Sequence, residues 1–241
     1  MKYLLISIFM LSFMNLNAQV FAGKVPEDTS LAKLVYRLFV VKKNIQGKAG
    51  DKVVVSQGTT FLTKYKGGQY LLSAKHLFTK MGYQSGDVVE MQIEDSDRRF
   101  PLNAPVYFFP LDNHSDMAVI KLKYNAPNNF GYDLETKWDL KGEHQGIMYI
   151  GFPTSKDSKT PEIRHGKYLY LDQTNPPNPM CVYETEAEEG FSGSPVFMYN
   201  EGDKKYLISS IISAGRDDSP NKTYGALIAA AAAIIDSLIS K

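Results

Sequence analysis

Three short segments of the sequence each place a reactive side chain beside residues that hold it still. In Leu71-Leu72-Ser73-Ala74-Lys75-His76 an apolar run passes through small residues and ends on a histidine. Ser115-Asp116-Met117-Ala118-Val119-Ile120 sets a carboxylate at the head of an apolar strand. Gly190-Phe191-Ser192-Gly193-Ser194-Pro195 encloses a serine in a Gly-rich turn ahead of Val196-Phe197-Met198. A serine hydroxyl is a weak nucleophile at neutral pH, so an adjacent imidazole must take its proton and later return it to the leaving group. A buried carboxylate fixes the imidazole tautomer and stabilises its cation. Negative charge developing on an attacked carbonyl oxygen needs aligned backbone donors. The N–H groups of Gly190 and Ser192 suit that role, because a glycine beside the serine frees the peptide to turn and to approach a substrate closely. The residue types thus allow His76 as general base, Asp116 as its orienting acid and Ser192 as nucleophile.

The elements that must position these groups read mostly as short strands. Leu34 to Val41, Val53 to Val55, Thr60 to Tyr65, Tyr70 to Ser73, Val88 to Ile93, Val106 to Phe109 and Met117 to Leu122 are apolar or alternating runs rich in Val, Ile, Tyr and Phe. Gly67-Gly68, Gly86-Asp87, Asp95-Ser96-Asp97 and Leu111-Asp112-Asn113 punctuate them as turns. A second series comprises Ile147 to Ile150, Tyr168 to Leu171, Cys181 to Tyr183, Pro195 to Tyr199, Tyr206 to Ser213 and Tyr224 to Ile228. The pattern loosens around Tyr124 to Glu143, where a connection between two halves fits. Helix is expected in two places, a turn near Lys75 to Lys80 and the Ala-rich stretch toward Ser240. An all-β chain of two barrels or a sandwich pair follows, with a C-terminal helix. Alternating βαβ units, a Gly-rich phosphate loop and internal repeats are absent from the sequence.

Composition narrows the function. The 241 residues are 44% hydrophobic and 22% charged, the balance of a folded globular chain. A formal charge of +1 gives no general attraction to nucleic acid. Cys181 stands alone, which excludes an intramolecular disulfide and a Cys-based zinc site; no metal or cofactor is expected. Residues 1–18 read as a secretory signal: Lys2, an apolar run from Leu4 to Met14, and Ala18 ahead of Gln19. That run is too short to span a bilayer. The mature chain is expected in the periplasm or outside the cell, with no membrane span.

The order His76, Asp116, Ser192, with the three segments quoted above, resembles the trypsin-like (chymotrypsin-fold) serine peptidases. Gly58-Thr59-Thr60-Phe61-Leu62 ahead of the histidine and Ile211-Ile212-Ser213-Ala214-Gly215 after the serine extend the match. Gly-Ser-Pro-Val-Phe and the lack of disulfides are most similar to the bacterial branch that includes glutamyl endopeptidases. The resemblance implies two antiparallel six-stranded β-barrels, with the His, Asp and Ser in the cleft between them. Expected boundaries are an N-terminal segment 19–33, a first barrel 34–125, a connection 126–146, a second barrel 147–228 and a helix 229–241. It further implies that a polypeptide substrate lies along Ser213, Ala214 and Gly215, and that Glu186 sits at the base of the primary specificity pocket, where a carboxylate would favour Lys or Arg. Ser209 to Gly215 lacks the histidine with which glutamyl endopeptidases bind a substrate carboxylate. The oligomeric state is left open.

One departure stands out. Phe191 occupies the place where zymogen-activated members carry an Asp that pairs with a freed N-terminal ammonium. Gln19-Val20-Phe21 is likewise unlike an activation site, so the resemblance implies a pocket formed without zymogen cleavage. Two function classes follow: an exported serine endopeptidase, or a catalytically silent relative that holds extended peptides by strand addition. Chain order excludes an α/β-hydrolase, whose histidine follows its serine, because the last histidine is His165. It also excludes a papain-like site at Cys181. His114, His144 and His165 lack comparable surroundings and are assigned to loops or surface.

Overall fold

The computed structural model describes residues 27–43, 52–95, 98–110, 115–123, 131–134, 145–155, 159–174, 179–200, 204–216 and 219–240. The segment 1–18 expected to be a secretory signal, His114, His144 and most of the expected connection lie outside them. A 3₁₀ turn at Thr29–Leu34, N-capped by the Asp28 side chain on Ser30 N–H, leads into β1 (Val35–Lys43). There follow β2 (Lys52–Tyr65), β3 (Gly68–Ala74), the single-turn helix α1 (His76–Thr79), β4 (Val88–Glu94), β5 (Arg99–Tyr107) and β6 (Met117–Lys121). After β7 (Tyr132–Asp133) come β8 (Gly146–Gly151), β9 (Glu162–Asp172), β10 (Met180–Glu184), β11 (Pro195–Asn200), β12 (Lys205–Arg216), β13 (Ser219–Leu227) and the C-terminal helix α2 (Ile228–Ile239).

These strands form two closed antiparallel barrels of six strands each, as expected. The first runs β1-β4-β5-β6-β3-β2 and closes by the β1–β2 pairing; the second runs β10-β13-β12-β11-β8-β9 and closes through β9–β10. Period-2 side-chain alternation makes β8 and β11 of the second barrel serve two cores. On β8, Ile147 and Tyr149 face the interior of the second barrel, while Met148 and Ile150 join the large core shared with the first. On β11, Val196 and Met198 point inward and Phe197 outward into the shared core. That arrangement buries both faces of β8 and β11, which is why they read as continuous apolar runs.

Several boundaries differ from the sequence reading. Val53 to Val55 and Thr60 to Tyr65 are one strand, β2, paired along β1 with a bulge between Val40 and Val41. The β2–β3 hairpin turns on Lys66 and Gly67, both at positive φ, and Gly68 already belongs to β3. β5 begins at Arg99 because pairing with β4 from Val88 to Glu94 holds its exposed, Pro-containing first half extended. β2 outruns β1 beyond Phe61, and β7 covers its free edge in parallel. Ile228 opens the helix instead of ending the last strand.

Two elements bind the barrels together. Tyr132 packs its ring at 6.1 Å from Phe61 of the first barrel and 5.3 Å from Phe197 of the second. Helix α2 leaves the second barrel and returns to β6 of the first, burying Ile228, Ala231, Ala232, Ile234 and Ile235. Asp236 on its outer side pairs with Lys66 of the β2–β3 turn at 2.7 Å. Among the described residues no helix is long and apolar enough to cross a membrane.

Candidate active site

Strand register brings His76 and Asp116 together. β3 and β6 pair antiparallel with Ala74 opposite Met117, so residues leaving β3 face those entering β6. Lys75 N–H donates to the Asp116 main-chain carbonyl at 3.1 Å, and His76 N–H donates to Asp116 Oδ1 at 2.8 Å. The His76 Nδ1 to Asp116 Oδ2 distance is 2.7 Å. An ionised carboxylate only accepts, so this bond places the proton on Nδ1 and leaves Nε2 as a free acceptor. Ser213 Oγ, from β12 of the second barrel, also donates to Oδ2 at 2.6 Å. A bulge makes this reach available: Ile212 pairs with Gly225 and Ala214 with Tyr224, which leaves Ser213 as the extra residue, turned out of the alternation.

Ser192 lies in a turn between two glycines held at positive φ, Gly190 at 97° and Gly193 at 90°. A Cβ on Gly190 would stand 2.7 Å from Thr154 N and one on Gly193 3.1 Å from Ala74 N, so both positions exclude larger residues. The Glu189 carbonyl accepts from Thr154 N–H at 2.8 Å and from Thr154 Oγ1 at 3.1 Å. In a trans peptide the C=O and the following N–H point opposite ways, so Gly190 N–H is directed away from Thr154. Among the described residues neither Gly190 N–H nor Ser192 N–H has an acceptor in the protein, leaving two neighbouring donors unspent. The Ser192 hydroxyl is half-buried and donates to the Ser213 carbonyl at 3.4 Å. No hydrogen bond joins it to His76 among the described residues.

Residues that sequence reasoning did not single out hold this turn. Thr59 is fully buried where the barrels meet; its N–H donates to the Ser192 carbonyl at 2.8 Å and its hydroxyl to the Gly190 carbonyl at 2.9 Å. The same hydroxyl accepts from Phe152 N–H at 3.1 Å, and Ser73 Oγ donates to the Thr59 carbonyl at 2.7 Å. The only signal was its place in the Gly58 to Leu62 segment. Phe191 is fully buried in the second-barrel core, edge-on to Tyr149 at 5.1 Å, which agrees with a turn held by apolar packing. The Arg164 guanidinium lies 4.6 Å from the Phe191 ring centre. Gly193 N–H and the Ser194 carbonyl bond to Ile212 of β12 at 2.7 and 2.8 Å, tying the turn to the strand that carries Ser213.

The remaining expected site residues fall as follows. Ala214 and Gly215 continue β12 and pair with Tyr224 and Thr223 of β13. Glu186 is exposed, and its main-chain carbonyl accepts from the Tyr149 hydroxyl at 2.6 Å. The Tyr149 hydroxyl fixes the backbone at this point, and the Glu186 carboxylate faces solvent. Of the neighbouring carboxylates, Glu184 pairs with Lys167 at 3.6 Å, and Glu188 pairs with Arg164 and accepts from the Ser155 hydroxyl. His165 is exposed on β9, as a surface histidine.

The arrangement can accept a proton at His76 Nε2, hold the resulting cation against Asp116 and offer two backbone donors to an oxyanion beside a serine hydroxyl. No family model and no curated protein matches the sequence. Among solved structures, the chain is similar to a serine endoprotease from Yersinia pestis at 14% identity, covering 90% of this chain and 69% of that one, with a TM-score of 0.58. It is also similar to the Rv3671c protease from M. tuberculosis in its active form, at 12% identity, 86% and 81% coverage and a TM-score of 0.55. The inactive form of that protease gives 11% identity, 86% and 90% coverage and the same TM-score of 0.55. Identity this low speaks to architecture, and the architecture is clear: the chain is built on the two-barrel fold of the chymotrypsin-like serine proteases.

Proposed function

We propose that the protein is an exported serine endopeptidase that cuts polypeptides through His76, Asp116 and Ser192. His76 Nε2 takes the Ser192 Oγ proton as the oxygen attacks the scissile carbonyl, and Gly190 and Ser192 N–H groups receive the oxyanion. His76 then protonates the departing amine, leaving an acyl-enzyme that a water molecule, deprotonated by the same imidazole, hydrolyses. Asp116 keeps a proton on Nδ1 throughout and stabilises the imidazolium once Nε2 is protonated, braced by Ser213. The observation that carries this reading is the turn itself: Thr154 draws off the Glu189 carbonyl, which turns Gly190 N–H away from it, and among the described residues neither Gly190 N–H nor Ser192 N–H has an acceptor in the protein.

Export rests on residues 1–18, and the periplasm or the outside of the cell is the proposed compartment. The Gly-Ser-Pro-Val-Phe tail and the lone cysteine support the disulfide-free bacterial branch. A preference for Lys or Arg drew on Glu186 and is not part of the proposal. One observation favours the silent peptide-binding module instead: the Ser192 hydroxyl rests on the Ser213 carbonyl and not on His76. Catalytic hydrogen bonds of this type are often long without substrate, so the peptidase reading is preferred. Unfolded casein incubated with the mature chain should be degraded, and Ser192→Ala or His76→Ala should lower the rate by several orders of magnitude. A Ser192→Ala protein as active as wild type refutes the mechanism. Casein binding without cleavage by wild type supports the module.

A further inference from the structure

The segment that presents Ser192 has no regular structure from Thr185 to Gly190, and it carries Glu186, Glu188 and Glu189 close together. Its shape must come from individual ties. Thr59 and Thr154 fix the backbone at Glu189 and Gly190. Two side chains touch the segment at both ends: Tyr149, whose hydroxyl donates to the Glu186 carbonyl and whose ring meets Phe191, and the charged Arg164. Alternation on β9 sets Glu162 and Arg164 on one face, and Glu162 holds the guanidinium at 2.9 Å. From there Arg164 reaches the Glu186 carbonyl at 3.5 Å, ion-pairs with Glu188 and lies over the Phe191 ring at 4.6 Å.

We infer that Arg164 is a positioning residue for the reaction proposed above: it clamps the segment 186–191 so that Gly190 and Ser192 N–H groups stay presented to the substrate. A planar guanidinium does this because it can stack on an aromatic face and bond carboxylates in its own plane at the same time. Lysine offers one point charge and cannot do both. The cation of the clamp is supplied by a strand of the barrel, so presentation of the donors needs no new N-terminus. The inference rests on the peptidase reading for its consequence in turnover, but the clamp itself is testable without activity.

Two measurements decide it, on the full mature chain and on Arg164→Gln, Arg164→Lys, Glu188→Gln and, as a control, Arg99→Ala, whose guanidinium pairs with Glu94 on the first barrel. The first is the second-order rate of Ser192 labelling by a fluorophosphonate, whose phosphoryl oxygen needs the same donors as an oxyanion. Arg164→Gln should slow labelling about tenfold or more, by the scale of losing one oxyanion donor; Arg164→Lys should fall between it and wild type, Glu188→Gln should slow labelling less, and Arg99→Ala should match wild type. The second is amide hydrogen exchange, in which Arg164→Gln should speed exchange in the peptide covering 186–192 and leave β8 to β13 as in wild type. A folded Arg164→Gln protein that labels and exchanges as wild type does overturns the clamp. If wild type does not label at all, the peptidase reading fails, and the exchange result alone upholds or overturns the clamp.

Discussion

Replacing Thr59 by valine removes one hydroxyl from the joint between the barrels and changes little else in shape. That hydroxyl donates to the Gly190 carbonyl at 2.9 Å and accepts from Phe152 N–H at 3.1 Å, with all three residues buried. A buried group stripped of its partner costs about 1–3 kcal/mol, so losing both bonds costs about 2–6 kcal/mol. The extra buried methyl offsets about 1 kcal/mol of this, leaving a net loss of about 1–5 kcal/mol. For a chain of this size that lowers Tm by about 2–20 °C. Thr60→Val is the matched control, since its hydroxyl donates only to the Leu72 carbonyl at 2.9 Å, inside the β2–β3–β6 ladder. Its expected loss is about 1 kcal/mol, the worth of a single hydrogen bond. Thermal unfolding of the three proteins, followed by circular dichroism, gives the comparison. Thr59→Val melting with or above Thr60→Val would refute the view that Thr59 is the joint on which the nucleophile turn is hung.

Other consequences follow from single side chains. Among the described residues Ser194 Oγ is buried without a hydrogen-bond partner, so Ser194→Ala should raise stability by about 1 kcal/mol, measured by urea denaturation; a loss of stability contradicts this. Burial pushes the Cys181 thiol up to about 11, only partly countered by Tyr183, and the native protein should therefore resist Ellman's reagent at neutral pH and react once unfolded. The Ser155 hydroxyl and then Arg164 hold the Glu188 carboxyl below the usual carboxylate range, against its desolvation and the like charge of Glu162. A carboxyl lowered by folding stabilises fully above its unfolded value and stops doing so as the pH falls through its folded value. The Tm difference between wild type and Glu188→Gln should thus be present at neutral pH and shrink in acid, whereas a difference constant with pH would contradict the ion pair.

The parts of the fold legible in the sequence are those in which local pattern and tertiary environment agree. β8 and β11 are apolar on both faces because both faces are buried, and α2 combines alanine propensity with an apolar stripe at helical spacing. His76 and Asp116 stood out because each sits at the end of such a strand, and antiparallel pairing of β3 with β6 makes those ends meet. The first half of β5 was not legible, since Pro101 and Pro105 interrupt the alternation of Phe100, Leu102 and Ala104 and argue against a strand until β4 pairs with it. The bulge that turns Ser213 toward Asp116 depends on a register slip against β13, which residue types do not encode. Thr59 and Gly190 are 131 residues apart, and Arg164 and Glu188 are 24 apart. Contacts at such separations carry no local signal. At Glu186 the Tyr149 hydroxyl bonds the main-chain carbonyl across 37 residues, a tie that a position counted back from the serine does not carry.

The central claim is that Ser192 is an activated nucleophile facing preformed oxyanion donors. Its most direct test is mass spectrometry of the mature chain after reaction with a fluorophosphonate, comparing wild type with Ser192→Ala and His76→Ala. The account predicts one adduct per chain, mapped to the peptide containing Gly190-Phe191-Ser192-Gly193, absent in Ser192→Ala and strongly slowed in His76→Ala. An adduct on another residue, or a folded wild-type protein that forms none, would contradict it.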